Sequence, residues 1–364
     1  MSSIHSNDAL RVVIIGYGHG GEVFHAPLVA STPGMRVSAI VTSNPERRRH
    51  AQQAFPQAEL LASAEEIWKD PRRYDLVVVT TPNRFHVSLG IAALQAGLPV
   101  VVDKPFAASV ADAERLIAVS EETGKLLSVF HNARWDSVFM TARRIVEAQL
   151  LGSVARLESR YERYRPVPRA NAWRELADFA DAGGLLYDLG SHLIDQALLL
   201  FGFPRRVYAE MPRRRPGVEV DDDTFVSLEF ASGVHAHLWM SSVVRVPASR
   251  LRITGLLGTY DKWGVDPQEE MLRAGIRPGD ERWGMEPRER WGHISTEVSG
   301  LHFDGAIEPV RGCSERYYAL MRDAILTGSQ LPVEPREALA TLQVIEAALR
   351  SAQEHTVVEL ANLA

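Results

Sequence analysis

Apolar residues fall into two regimes along this chain. Over the first 130 positions they form short, unbroken, β-branched runs: Arg11-Val12-Val13-Ile14-Ile15, then residues 36–41, 75–79, 100–102 and 126–130. Such runs predict strands covered on both faces. Helical patterns separate them. Ser63-Ala64-Glu65-Glu66 has the form of a capping box, Gly97 closes a helix opened near His86, and Ser109-Val110-Ala111-Asp112 opens another that Gly124 ends. The alternation predicts a parallel, doubly wound sheet with right-handed crossovers. Beyond residue 130 the period changes to two over residues 154–164, 223–230, 234–242 and 250–254, with Val226, Leu228 and Phe230 on one face and a hairpin signal at Ser232-Gly233. The expectation is an α+β second domain with a large open, mainly antiparallel sheet. Residues 255–312, rich in Gly, Pro, Arg and Trp, predict long loops; residues 315–327 and 335–354 predict two closing helices, and 356–360 a short strand.

The first strand runs at once into Gly16-Tyr17-Gly18-His19-Gly20-Gly21, which contains G-x-G-x-x-G through Gly16, Gly18 and Gly21. The first glycine permits a tight turn, the second lets backbone approach a pyrophosphate, and the third lets helix pack on strand. A Rossmann dinucleotide-binding domain over residues 1–130 is therefore expected, followed by a second domain over 131–364. The next strand ends at Thr42-Ser43-Asn44, where an NAD site usually carries a carboxylate for the ribose hydroxyls. Arg47-Arg48-Arg49 follow instead, and small hydroxyls with a nearby arginine suit a 2′-phosphate. NADP(H) is the expected cofactor, with NAD the alternative.

Val100-Val101-Val102-Asp103-Lys104-Pro105 ends a buried strand on an acid, a lysine and a proline. Alone, such a lysine is usually a solvated loop residue. In a parallel sheet it stands at the carboxyl edge, where ligands bind, together with Gly16, Thr81 and His131. In the second domain, Asp188, His192 and Asp195 fall at i, i+4 and i+7 within an apolar helical pattern, which predicts one polar stripe. A carboxylate one turn from an imidazole can fix its orientation, as a general acid/base histidine needs. The alternative is a satisfied core histidine. His235 and His237 share a strand face without a third ligand at sensible spacing, so no metal site is expected.

Composition narrows the chemistry. The 364 residues carry 46% apolar side chains and a net charge of −6 without a basic or acidic block, which favours a small-molecule substrate over nucleic acid or a membrane surface. The single cysteine, Cys313, excludes an internal disulfide and suits a reducing compartment. With no signal-like start, a cytoplasmic location is expected.

Taken together, Phe24-His25-Ala26-Pro27-Leu28, Thr81-Pro82-Asn83 with His86, Val129-Phe130-His131-Asn132 with Arg134-Trp135-Asp136, Tyr164-Arg165-Pro166, Trp173-Arg174, residues 187–192, and Tyr260 with Asp266-Pro267-Gln268-Glu269 resemble the Gfo/Idh/MocA family of NAD(P)-dependent oxidoreductases. The likeness is greatest to its NADP-dependent inositol dehydrogenase branch. The resemblance implies a cofactor site formed by Gly16, Tyr17, Gly18, His19, Gly21, Thr42, Ser43, Arg47, Thr81, Pro82, Asn83, His86, Asp103, Lys104 and Asn132. It implies catalytic roles for Lys104, Asp188 and His192. It also implies that Arg134, Trp135, Tyr161, Arg165, Trp173 and Arg174 surround a polyol or sugar, in a homodimer or homotetramer. Asp103 departs from the family's Glu-Lys-Pro signature by one methylene, and Asn44 from the arginine of some relatives. A non-catalytic dinucleotide sensor of the same fold is the alternative function; such members tend to lose the lysine or histidine retained here.

Overall fold

The structure is a computed structural model that describes residues 9–168, 175 and 178–360. Its α-helices are, in chain order, α1 (Ala26–Ser31), α2 (Pro45–Ala54), α3 (Glu65–Lys69), α4 (His86–Gln95), α5 (Val110–Thr123), α6 (Ser137–Glu147), α7 (Ser191–Phe201), α8 (Gln268–Arg273), α9 (Glu315–Thr327) and α10 (Pro335–Glu354). Two compact units emerge. One takes the chain up to Asn132 with Gln268–Trp283 and Cys313–Leu339; the other takes Ala133–Pro267, Gly284–Gly312 and the chain from Ala340. The first crossing lies two residues from the expected boundary, but the chain then returns twice to the first unit. The second return has a visible cause: Tyr317 and Tyr318 on α9 are fully buried, with ring centroids 4.9 and 5.8 Å from Phe130.

The first unit holds a six-stranded sheet: β1 (Leu10–Ile15), β2 (Met35–Val41), β3 (Glu59–Leu61), β4 (Leu76–Val79), β5 (Val100–Asp103) and β6 (Leu127–Phe130). Every pairing is parallel, and the order is β3-β2-β1-β4-β5-β6. All four residues of β4 are buried, as are Val100, Val101 and Val102; full burial of each such side chain is worth roughly 1.5–3 kcal/mol. The order reverses between β1 and β4, the switch point where doubly wound sheets bind ligands. Ser109 caps α5 as expected by accepting from Asp112 N–H at 3.1 Å, and Gly124 ends it in a left-handed conformation; the box at residues 63–66 forms only in part, with Glu66 reaching back to Ser63 N–H at 3.1 Å while Ala64, without a side-chain cap, precedes α3.

In the second unit nine strands form one sheet: β7 (Val154–Glu162), β8 (Pro204–Glu210), β9 (Asp223–Phe230), β10 (His235–Ser241), β11 (Leu251–Gly255), β12 (Gly258–Lys262), β13 (Gly292–Val298), β14 (Leu301–Ile307) and β15 (Val358–Glu359). The order is β14-β13-β12-β11-β7-β10-β9-β8-β15, antiparallel except where β10 meets β7. The expected loop region 255–312 instead contributes β12, β13 and β14. Its weak apolar period reflects an exposed β14, while Lys262 is fully buried and pairs with Glu286 at 2.6 Å. No described helix is long and apolar enough to cross a membrane.

Candidate active site

In the first unit the strand ends converge as the sequence predicts: Ile15 pairs in register with Val41 and Val79, and Asp103 with Phe130. Gly16 turns the chain out of β1 at φ 104°, and a Cβ there would stand 2.5 Å from the Thr80 carbonyl oxygen. Gly21 is equally constrained, since its Cβ would meet the Gly16 carbonyl oxygen at 2.3 Å. At Gly18 the nearest atoms to a Cβ would be those of the Arg47 guanidinium, at 3.7–3.9 Å. The loop is therefore a cradle that side chains would fill, beside an arginine, and it fits a dinucleotide pyrophosphate. Tyr17 is buried beneath it, and burial pushes its phenol up to about 12.

The end of β2 carries no carboxylate. Thr42 is buried, and its carbonyl accepts from Arg48 at 3.1 Å; Ser43 and Arg47 are exposed. Asn44 caps α2, accepting from the Arg47 N–H at 3.0 Å. Of the arginine run, Arg48 is thus tied to backbone and Arg47 approaches the glycine turn. His19 meets α8, with Arg273 Nη2 at 3.2 Å and Glu269 at 3.4 Å. The hydrogen bond from His19 holds Glu269 down to about 2, with burial opposing and Arg273 assisting.

Past β4, Thr81 and Pro82 are half-buried and Asn83 is buried. His86 is buried, with its ring nitrogens 3.0 Å from the carbonyl oxygens of Pro105 and Thr81. It is a strut between two edge loops. Burial lowers its pKa, with Asp103 and the two carbonyls pulling the other way. Asp103 accepts the Lys104 N–H at 2.8 Å and the Thr80 hydroxyl at 3.1 Å, and its Oδ2 lies 3.3 Å from His25 Nε2. Burial pushes this carboxyl up, but His25 first, then Lys104 and His86, hold it well below the carboxylate range. Lys104 and Asn132 are half-buried, and the Lys104–Pro105 bond is cis.

In the second unit, residues Leu186–Gly190 form a π-helical turn that leads into α7. This corrects the expected single stripe. Asp188 and His192 are half-buried, whereas Asp195 is buried and forms a two-point pair with Arg134 at 2.9 and 2.6 Å. Arg134, expected near substrate, is held by that pair. Asp188 Oδ2 lies 3.9 Å from Arg163 Nη2, and Tyr161 stands edge-on to His192 with centroids 6.3 Å apart. Arg250 stacks 3.8 Å from the Tyr161 ring centre. Trp135 is buried and Arg165 is exposed. Trp173 and Arg174 lie outside the described residues.

Two supports of this turn escaped the sequence reading. Asp221 accepts the Leu186 N–H at 2.8 Å and the Thr224 hydroxyl at 2.5 Å, and a Cβ on Gly184 would collide with its carboxylate. Arg163 shares Tyr161's side of the chain at i+2, a parity that could have revealed it. Among the described residues no group of three or more His, Cys, Asp or Glu is arranged to hold a metal; His235 and His237 stand 6.4 Å apart by ring centroid.

A glycine turn at the switch point of a parallel sheet, joined in sequence to a unit with a large, mainly antiparallel sheet, defines a dinucleotide-binding class of fold. Residues 10–131 match the oxidoreductase family with an NAD-binding Rossmann fold, and residues 139–261 match the Gfo/Idh/MocA C-terminal domain. The chain belongs to the Gfo/Idh/MocA family of oxidoreductases. It is 37% identical to scyllo-inositol 2-dehydrogenase (NADP⁺) IolW of Bacillus subtilis (strain 168), across 97% of this chain and 96% of that one. It is 30% identical to D-glucoside 3-dehydrogenase of Escherichia coli (strain K12) across 56% of this chain and 57% of that protein. The structure of yvaA from Bacillus subtilis superposes with a TM-score of 0.91 at 37% identity, covering 97% of this chain and 99% of that one.

Proposed function

We propose that this protein transfers hydride between NADP(H) and a secondary alcohol or ketone of an inositol, sugar or related polyol, with a scyllo-inositol-like substrate favoured. The overall change is R₂CH–OH + NADP⁺ → R₂C=O + NADPH + H⁺. The observation that carries the reading is near full-length likeness to an enzyme named for that reaction, in a chain that retains Lys104, Asp188 and His192. Bound NADP⁺ supplies the hydride acceptor. An imidazole nitrogen of His192 takes the hydroxyl proton, and the Asp188 carboxylate orients and supports that ring. The Lys104 ammonium steadies the negative charge that grows on the alcohol oxygen as hydride leaves its carbon. Tyr161, beside His192, contributes to the polyol's surroundings.

NADP preference rests on the carboxylate-free end of β2 and on the Arg47 guanidinium near Gly18. A 2′-phosphate placed by the exposed Ser43 and Arg47 would receive charge-assisted hydrogen bonds. We also propose that the enzyme works in the cytoplasm as a homodimer or homotetramer.

The test is to follow reduced-nicotinamide absorbance with both cofactors across a panel of inososes and keto sugars. Turnover with NADPH is expected, and Arg47→Ala should lower the NADP-to-NAD ratio of kcat/KM about tenfold. A wild-type preference for NAD would overturn the cofactor assignment, and absence of turnover with every ketone would overturn the activity.

A further inference from the structure

The carboxylate preceding Lys104 is short, and the structure supplies what surrounds it. His25, fully buried at the end of the turn Gly20–His25, puts Nε2 3.3 Å from Asp103 Oδ2 and Nδ1 2.5 Å from the Tyr318 hydroxyl. The ring is clamped: its centroid lies 4.2 Å from Phe130 and 6.1 Å from Tyr318. Burial and the neighbouring Asp103 charge, with Tyr317, raise the Tyr318 phenol well above its ordinary value, so its oxygen keeps its proton. If the hydroxyl donates to Nδ1, the ring proton sits on Nε2, which contacts the carboxylate at 3.3 Å without the alignment of a hydrogen bond.

The same carboxylate orders three other pieces of chain. Oδ1 accepts the Lys104 N–H at 2.8 Å, Oδ2 accepts the Thr80 hydroxyl, and Gly20 lies so close that a Cβ there would be 2.8 Å from Oδ2. His25 and Gly20 therefore bound the space into which a glutamate's added methylene would carry its carboxylate. The groups facing Asp103 are His25 from the glycine turn, Thr80 after β4, His86 at the start of α4, and Lys104 itself.

We propose that His25 and Tyr318 are positioning residues for Lys104, acting through the Asp103 carboxylate, and that the short acid and His25 form a matched pair. This rests on the proposed role of Lys104 in hydride transfer. Tyr318 orients His25, His25 orients Asp103, and Asp103 fixes the backbone N–H from which the lysine side chain departs.

The test uses the full chain with Tyr318→Phe, His25→Asn, Asp103→Glu and the His25→Asn/Asp103→Glu double variant. Tyr318→Phe removes one oxygen and preserves the ring's packing. It should lower kcat about fivefold with KM for both substrates within about twofold. His25→Asn should lower kcat about thirtyfold and move the acid limb of the kcat profile to higher pH, because burial then governs the Asp103 carboxyl. Asp103→Glu should lower kcat in the parent but little further in the His25→Asn background. Wild-type kcat and pH profile in both Tyr318→Phe and His25→Asn would overturn the inference, as would additive losses in the double variant. So would losses matched by equal falls in thermal stability and cofactor affinity. If the parent turns over no ketone, the proposed function fails. The inference is then read from the rate at which pyridoxal phosphate labels Lys104, located by peptide mass spectrometry. Changed labelling in Tyr318→Phe supports it and unchanged labelling in all variants overturns it.

Discussion

The edge of the parallel sheet around Asp103 and the stretch carrying Asp188 and His192 both present a half-buried acid near a cationic or titratable partner, but different groups hold them. Asp103, half-buried, faces His25, Thr80, His86 and the Lys104 backbone, and His25, Lys104 and His86 hold its carboxyl below the ordinary range. Asp188 lies on the π-helical turn and His192 in the first turn of α7, both half-buried, with Asp221 accepting from the turn and the buried Asp195–Arg134 pair following it. The first is an acid that holds a backbone in place. The second places its acid 3.9 Å from the Arg163 guanidinium, while Asp221 and the Asp195–Arg134 pair hold the chain on either side. A carboxylate's role thus follows from the groups it faces: a backbone N–H and a buried imidazole at Asp103, a guanidinium at Asp188.

Removing a structural acid from the second region has the largest expected effect. Asp195→Ala leaves the Arg134 guanidinium buried without its carboxylate, and should cost about 3–5 kcal/mol in chemical denaturation. Asp188→Asn, about two turns earlier, should leave denaturation nearly unchanged while lowering kcat about tenfold, because it tests orientation of His192 and not the fold. Equal stability losses from the two substitutions would dissolve the distinction. A smaller effect sharpens the first region. Asp103 titrates below its ordinary value of about 3.9, so its contribution to stability is complete above that pH and is lost as pH falls below it. Acid unfolding profiles of the parent and His25→Asn should differ, with the variant losing less stability over that acid range because its Asp103 starts less depressed.

The two regions also differ in how far the sequence discloses them. Unbroken valine runs, glycines at forced turns and capping serines predict the first unit almost strand by strand, since each signal acts within a few residues. Only the three-residue β3 escaped. The partners of Asp103 are less visible: His25 follows the glycine motif closely, but Tyr318 arrives 293 positions later on a helix that packs back beside Phe130. In the second unit, helical spacing places Asp188, His192 and Asp195 on one stripe, because a π-helical turn has the same apolar content as an α-helical one. The rotation it introduces depends on Gly190 approaching Met240 on β10 and on Asp221 capping the turn, both tertiary facts. Likewise β12 to β14 lack a clean period, because a nearly exposed hairpin strand and a buried lysine pair obscure it.

Under the proposed function, Lys104 and His192 carry the chemistry of one redox reaction. The most direct test is single-turnover hydride transfer by the parent, Lys104→Ala and His192→Ala proteins at saturating NADPH and ketone, with cofactor affinity measured in parallel. Each substitution should slow transfer by about a hundredfold or more, with NADPH affinity changed less than about threefold. Parent-like transfer rates in both variants with NADPH bound would contradict the claim.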